Sequence, residues 1–284
     1  MRLKNADFVL FAAALFSLAL FVVPQYFFVG LSLYRNLGMG QIGEWVGLAN
    51  YRRITTDTFV LGVIVRTIVL SALAAGLAVL ISAPSAYWLT RLKSRWLGVL
   101  IVALLISSFV SVVVKVLGLQ ILLGSNGLVV DLIRLLSFGS WSPALLYNDF
   151  GVTVGLVQYT LPLMVLILFG VFQNIPVTLE EAALVHGASD FRMFRRVLLP
   201  EAARGLLIAF LIAFNLNMGA FTSAALLGGG KVLTVPVLIQ RLISLDLDYP
   251  NAAALSVALT LIVVAINILA ALISRRAGHR KRVA

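Results

Sequence analysis

Gly228, Gly229, Gly230 and Lys231 form the stretch of this sequence that comes closest to a phosphate-binding loop. Such a loop needs a glycine six positions before its lysine and a hydroxyl residue just after it, because backbone N–H groups and that hydroxyl cradle phosphate and magnesium. Ala225 and Val232 stand in those places, so no nucleotide site is read here. Other catalytic chemistry finds as little support. The two histidines are His186, in a charged loop, and His279, in a basic tail, and no carboxylate falls inside a long apolar run. Proton relays and membrane-embedded metal sites require clustered ionisable groups in a bundle interior, because charge in hydrocarbon is costly and kept for a purpose. With no cysteine in the chain, disulfides, thiolate metal sites and thiol catalysis are excluded.

What remains is one buried charge and a few neutral polar residues. Lys115 lies within the third predicted helix, which is read as continuing past it, about eight residues, or about 12 Å at 1.5 Å per residue, from its outer end. It either faces a water-filled cavity or extends its stem toward the outer headgroups. Asn215, Asn217, Thr222 and Ser223 line the same polar path or join packed helices by hydrogen bonds.

The elements that would position these residues are set by hydropathy. Of 284 residues, 61% are hydrophobic and 12% charged, and mean hydropathy is +1.06, which marks a polytopic membrane protein. Uncharged runs at Phe8–Leu33, Thr67–Thr90, Trp96–Val114, Phe150–Leu179, Gly205–Gly230 and Tyr249–Ser274 each meet the roughly 18 to 20 residues needed to cross a bilayer as a helix. The expected fold is therefore all-α with six transmembrane helices, one membrane domain over residues 1–284. The first run, 26 residues long, exceeds the roughly 7 to 15 of a signal-peptide core and is read as a retained helix.

Basic residues fix the expected orientation. Arg2 and Lys4, the Arg91–Arg95 turn, the four arginines between Arg192 and Arg204, and the tail from Arg275 to Lys281 and Arg282 alternate to one side. Both termini are then cytoplasmic. The net charge of +11 reflects this bias and attraction to the lipid bilayer, with no call for nucleic acid. Outside lie Tyr34–Arg66, with the aromatic and basic segment GLANYRRI; Gly124–Asp149, rich in turn formers such as Gly127, Gly139 and Pro143 and with a short amphipathic helix expected at Val129–Leu136; and Lys231–Asp248. Pro84 and Pro162, inside the second and fourth runs, suggest helices that bend.

The one long charged loop on the inside, residues 173–204, carries EEAALVHGASDFRMFRRVLLPEAARG from Glu180 to Gly205. Thr178 is placed to cap a short helix from near Leu179, with Glu180 and Glu181 in its first turn, where the positive end of the helix dipole favours carboxylates. Ala182, Ala183 and His186 fall on neighbouring turns, so small side chains allow close approach to a groove, and Gly187 turns the chain back. Glu181, Ala182 and Ala183, then Gly187 three residues on, then Val197, Leu199 and Pro200 after nine more, resemble the EAA loop of ABC importer permeases, EAA-x3-G-x9-I-x-L-P, with valine for isoleucine. The stretches FVSVVVKVLGLQILLGSNGLV, from Phe109, and GAFTSAALLGGGKVLTVPVLI, from Gly219, together with GLANYRRI, look like spermidine/putrescine-type permeases.

The resemblance implies a type I (MetI-like) permease fold in the bacterial inner membrane, a second homologous or identical permease, ABC ATPase subunits that hold the ATP and magnesium, and an extracytoplasmic solute-binding protein. By the same resemblance the short helix from near Leu179, with Glu180, Glu181, Ala182 and Ala183, is a coupling helix: Glu181 pairs with a basic group of the ATPase or serves only as a cap, Gly187 forms the turn, and Phe191, Phe194 and Leu198 pack the return segment ahead of Pro200. The implied solute is a polyamine or a related amine or amino-acid-like compound. The missing intramembrane carboxylate suits a zwitterionic or anionic amine at least as well as a polycation. A secondary transporter would need coupling-ion sites, and a membrane enzyme would need clustered His, Asp or Glu; neither is visible.

Overall fold

The computed structural model describes residues 2–93, 95–137 and 143–280; Gly139, Lys281 and Arg282, named above, lie outside them. In chain order the elements are α1 (Arg2–Leu31), a hairpin of β1 (Tyr34–Gly38) and β2 (Gln41–Trp45), α2 (Ala49–Thr56), α3 (Thr58–Arg91), α4 (Trp96–Phe109), α5 (Val112–Leu123) and α6 (Leu128–Leu136). There follow α7 (Asp149–Gln173), α8 (Val177–Val185), α9 (Asp190–Met193), a π-helical turn at Phe194–Leu198, α10 (Leu199–Glu201), α11 (Ala203–Met218), α12 (Phe221–Gly228), α13 (Val235–Ser244) and α14 (Tyr249–Arg280). The expected all-α architecture is observed, with one short hairpin added. Among the described residues, five helical stretches are long and apolar enough to cross a membrane, or six when the pair Asp190–Glu201 and Ala203–Met218, bent by 73°, counts as one span; one of the five, Val112–Leu136, runs over α5 and α6, so α6 belongs to it instead of standing alone in an outside loop, and α4 is a shorter apolar helix.

Three of the six expected runs are redrawn, each for a local reason. The second begins at Thr58 rather than Thr67. Asp57 caps it by accepting the Phe59 N–H at 2.9 Å, and Arg66 is carried inside the helix because Asp149 neutralises it at 2.7 Å. The third is not one helix: Val110 and Ser111 are extended between α4 and α5. Ser108 turns its hydroxyl back to the Leu104 carbonyl at 2.9 Å and β-branched residues follow, both of which weaken a helix. The fifth divides at Gly219–Ala220, where the Ala220 N–H returns to the Asn217 carbonyl at 3.1 Å.

Packing divides the chain into two compact units, Met1–Ile64 with Val235–Ala265, and Val65–Thr234 with Ile266–Ala284. In the first, Asn50 donates to the Ser32 and Tyr34 carbonyls, each at 2.8 Å, and the Ser32 and Tyr51 hydroxyls lie 2.6 Å apart. GLANYRRI thus ties the end of α1 to β1.

The second unit is built around α7. Val152, Leu156, Thr160, Met164, Leu168 and Phe172 recur at every fourth position and are buried, a stripe that meets α4, α5, α11 and α12. A Cβ at Gly155 would run into the Leu227 side chain, so glycine there lets α12 close on α7. Pro84 and Pro162 sit within α3 and α7, which continue through them. The sharp bend falls instead at Ala202, just after the π-helical turn and Pro200. Pro200 offers no N–H to the Arg196 carbonyl and its ring crowds that carbonyl, which widens the turn and bends the span.

Candidate coupling site and polar path

α8 begins two residues earlier than expected. Pro176, extended at ψ 132°, precedes Val177, and no side chain caps the helix, so Thr178 lies inside it and does not serve as its cap. Its end is a Schellman turn. Ala188 N–H donates to the Ala183 carbonyl at 3.0 Å and Gly187 N–H to the Leu184 carbonyl at 2.9 Å, with Gly187 at φ +78°. Nothing lies within 4 Å of a Cβ built at Gly187. Glycine is thus required by the left-handed backbone and not by crowding.

The two glutamates of α8 part company. Glu181 and Ala182 are exposed, Ala183 is half-buried, and Leu184 and Val185 present apolar surface beside them. Glu180 turns inward and is 6% exposed. Its carboxylate accepts from Arg91 through both oxygens and from the Tyr87 hydroxyl at 3.0 Å. Arg91 is the last residue of α3, and its guanidinium also lies 5.5 Å above the Tyr87 ring centre. Removing Arg91 would leave a buried carboxylate unpaired, a loss on the order of 3–5 kcal/mol. Sequence reasoning missed Tyr87 and Arg91 as partners; the available signal was their spacing of four on one helix face near a loop carboxylate.

Below that pair an aromatic cluster seats the return segment. Tyr87, Phe172 and Phe194 bring ring centres within 5.4 to 6.1 Å of one another, and Leu198 is fully buried. Phe191, expected to pack with them, is 73% exposed, because it sits on the outward side of the four-residue α9. Pro200 is exposed and acts through the bend.

The polar residues of the apolar runs divide by partner. Lys115 Nζ donates to the Ser107 carbonyl at 3.0 Å, across the α4–α5 break. It satisfies a carbonyl at the end of α4 that has no helical partner. Asn215 exchanges two hydrogen bonds with Asn267 of α14, at 3.1 and 2.9 Å, which joins packed helices. Asn217 is different: it is 3% exposed, and neither its amide nitrogen nor its oxygen has a partner among the described residues. The Ser223 hydroxyl, 1% exposed, is equally unpaired. Thr222 beside it is half-buried. Asn217 and Ser223 flank the α11–α12 break, where sequence reasoning put a continuous span.

Gly228–Lys231 is a helix-ending turn. Gly229 and Gly230 have φ +53° and +74°, and the Lys231 and Val232 N–H groups both donate to the Gly228 carbonyl. Those donors are spent within the turn. In the first unit, a cavity of about 290 Å3 is lined by Arg53, Asp57, Arg241, Asp246 and Asp248. Two of its acids are occupied, Asp57 at the start of α3 and Asp248 with Asn251 at 2.7 Å.

Known proteins similar to this chain are transport permeases. The spermidine/putrescine transport system permease protein PotB of Haemophilus influenzae is 25% identical over 252 residues, covering 88% of each chain. The protein of the same name from Escherichia coli is 26% identical over 86% of this chain and 89% of its own. The sulfate transport system permease protein CysW of a Synechocystis strain is 30% identical over 61% of this chain and 62% of its own. A chain in the crystal structure of a bacterial ABC transporter that imports the acidic polysaccharide alginate superposes over 97% of this chain and 99% of its own, with a TM-score of 0.75 at 18% identity. A related structure holds that transporter with its pentasaccharide-bound periplasmic protein. The family description "binding-protein-dependent transport system inner membrane component" matches residues 90–283. This chain belongs to that family: it is an ABC importer permease of the inner membrane, a transport subunit and not an enzyme.

Proposed function

We propose that this permease forms half of a translocation path for an amine solute, a polyamine or an amino-acid-like compound, received from an extracytoplasmic binding protein. A second permease, homologous or identical, completes the path. ABC ATPase subunits, which hold the ATP and magnesium, dock on α8, and both chain termini face the cytoplasm. The observation that carries the reading is the division of α8: Glu180 is held inside, while Glu181, Leu184 and Val185 form an outward face with one charge and apolar flanks. A free-standing loop helix has no reason to expose that apolar surface, whereas a partner groove covers it.

The amine assignment is supported by relatives named for spermidine and putrescine that align along nearly the whole chain. The electrostatics favour a solute bound by neutral groups. Lys115 is already engaged by a carbonyl, so the unpaired Asn217 amide and Ser223 hydroxyl are the candidate contacts. A buried amide left without partners loses roughly 1–3 kcal/mol, and a passing amine or its water supplies them. The test is a ligand panel on the binding protein of the same importer, followed by ATP-dependent uptake in vesicles carrying the assembled transporter. Stabilisation and uptake by spermidine, putrescine or an amino-acid-like amine are expected. Sulfate or an oligosaccharide as the accumulated solute would contradict the assignment.

A further inference from the structure

α8 is joined covalently to α7 through Asn174–Pro176 and to the bent fifth span through His186–Ser189. To α3 it has no covalent link within 80 residues of sequence; its polar link is made by Glu180. That side chain accepts two donors from Arg91 and one from Tyr87, and all three residues lie at the last turn of α3 or the buried side of α8. Phe172 and Phe194 close the apolar side of the same junction. The ends of α3, α7 and the fifth span therefore meet under one carboxylate.

We propose that Glu180 is a positioning residue, a latch that makes α3 follow α8, while Glu181 meets the ATPase. This rests on the reading of α8 as the docking helix. Geometry gives the reason. A two-point guanidinium–carboxylate pair fixes orientation as well as distance, and the Tyr87 hydroxyl occupies a remaining lone pair, so rotation of α8 by a partner is transmitted to the end of a helix of 34 residues. Without the latch, α8 is free to move with the ATPase while α3 stays behind.

The experiment uses the complete transporter, reconstituted with its ATPase and binding protein, and reads three quantities: co-purification of the ATPase, ATP hydrolysis, and solute uptake. Glu180→Gln and Arg91→Ala are expected to keep the ATPase bound and hydrolysing while uptake per ATP falls about tenfold or more; Tyr87→Phe is expected to lose two- to threefold. The charge exchange Glu180→Arg with Arg91→Glu is expected to regain at least half of the lost uptake. Because the chain has no native cysteine, Glu180→Cys with Arg91→Cys can be joined by a short bismaleimide. A latch that travels as one body is expected to regain uptake on cross-linking, relative to the unlinked pair. Uptake per ATP unchanged in Glu180→Gln and Arg91→Ala, or uptake abolished by the cross-link, would overturn the proposal. Failure of the docking reading has a separate signature, an ATPase that binds without regard to Glu181.

Discussion

The Lys115 ammonium lies 3.0 Å from the Ser107 carbonyl, joining two helices across the extended pair Val110–Ser111. The charge is used to end one helix and hold the next. A charged hydrogen bond of this kind contributes about 1.5–3 kcal/mol. Lys115→Met is expected to lower the thermal stability of the detergent-solubilised permease by a corresponding amount while the order of preferred solutes stays as it was. Lys115→Arg, which keeps a donor in reach, is expected to recover most of the loss. Altered solute preference in Lys115→Met, measured by competitive uptake, would assign the charge to the path.

Asn217 offers the opposite sign. Its amide is buried with no partner among the described residues, so Asn217→Leu removes an unsatisfied group and is expected to be neutral or stabilising by about 1 kcal/mol. Uptake is expected to fall at least several-fold in the same variant. Stability unchanged together with unchanged uptake would remove Asn217 from the path.

How much of this was legible in the sequence depends on range. Gly187 was readable because a helix end needs a left-handed residue within a few positions, and the Schellman turn is local. Five to six apolar spans were readable because hydropathy is additive along a run. The breaks at Val110–Ser111 and Gly219–Ala220 were not, since an uncharged run says nothing of whether its backbone bonds continue. Arg66 shortened the second run on paper because its neutralising partner, Asp149, is 83 residues away. The same blindness hid the Glu180–Arg91 pair and gave both glutamates of α8 one role. Phe191 was grouped with Phe194 by type, whereas only the latter faces the ring cluster.

Gly187 should tolerate only residues at ease with φ +78°. Gly187→Ala is expected to destabilise the end of α8 by about 1 kcal/mol and Gly187→Asn by less. Hydrogen exchange at the Ala188 and His186 amides would read this directly, with faster exchange in the alanine variant. Equal exchange in wild type and Gly187→Ala would show that the turn carries no strain.

The reciprocal amide pair of Asn215 and Asn267 predicts a coupling energy between α11 and α14. A double-mutant cycle with both residues changed to alanine is expected to give about 0.6 kcal/mol, and up to about 1.7, typical of polar pairs between membrane helices. Additive losses in the unfolding of reconstituted protein would mean that the pair does not join the helices.

The central claim, that the outward face of α8 receives the ATPase, is tested most directly by the affinity of the ATPase for permease carrying Glu181→Lys or Val185→Asp. Both positions are exposed. The dissociation constant is expected to rise at least about tenfold in each variant, equivalent to about 1.4 kcal/mol, with membrane insertion intact. Wild-type affinity in both variants would contradict the account.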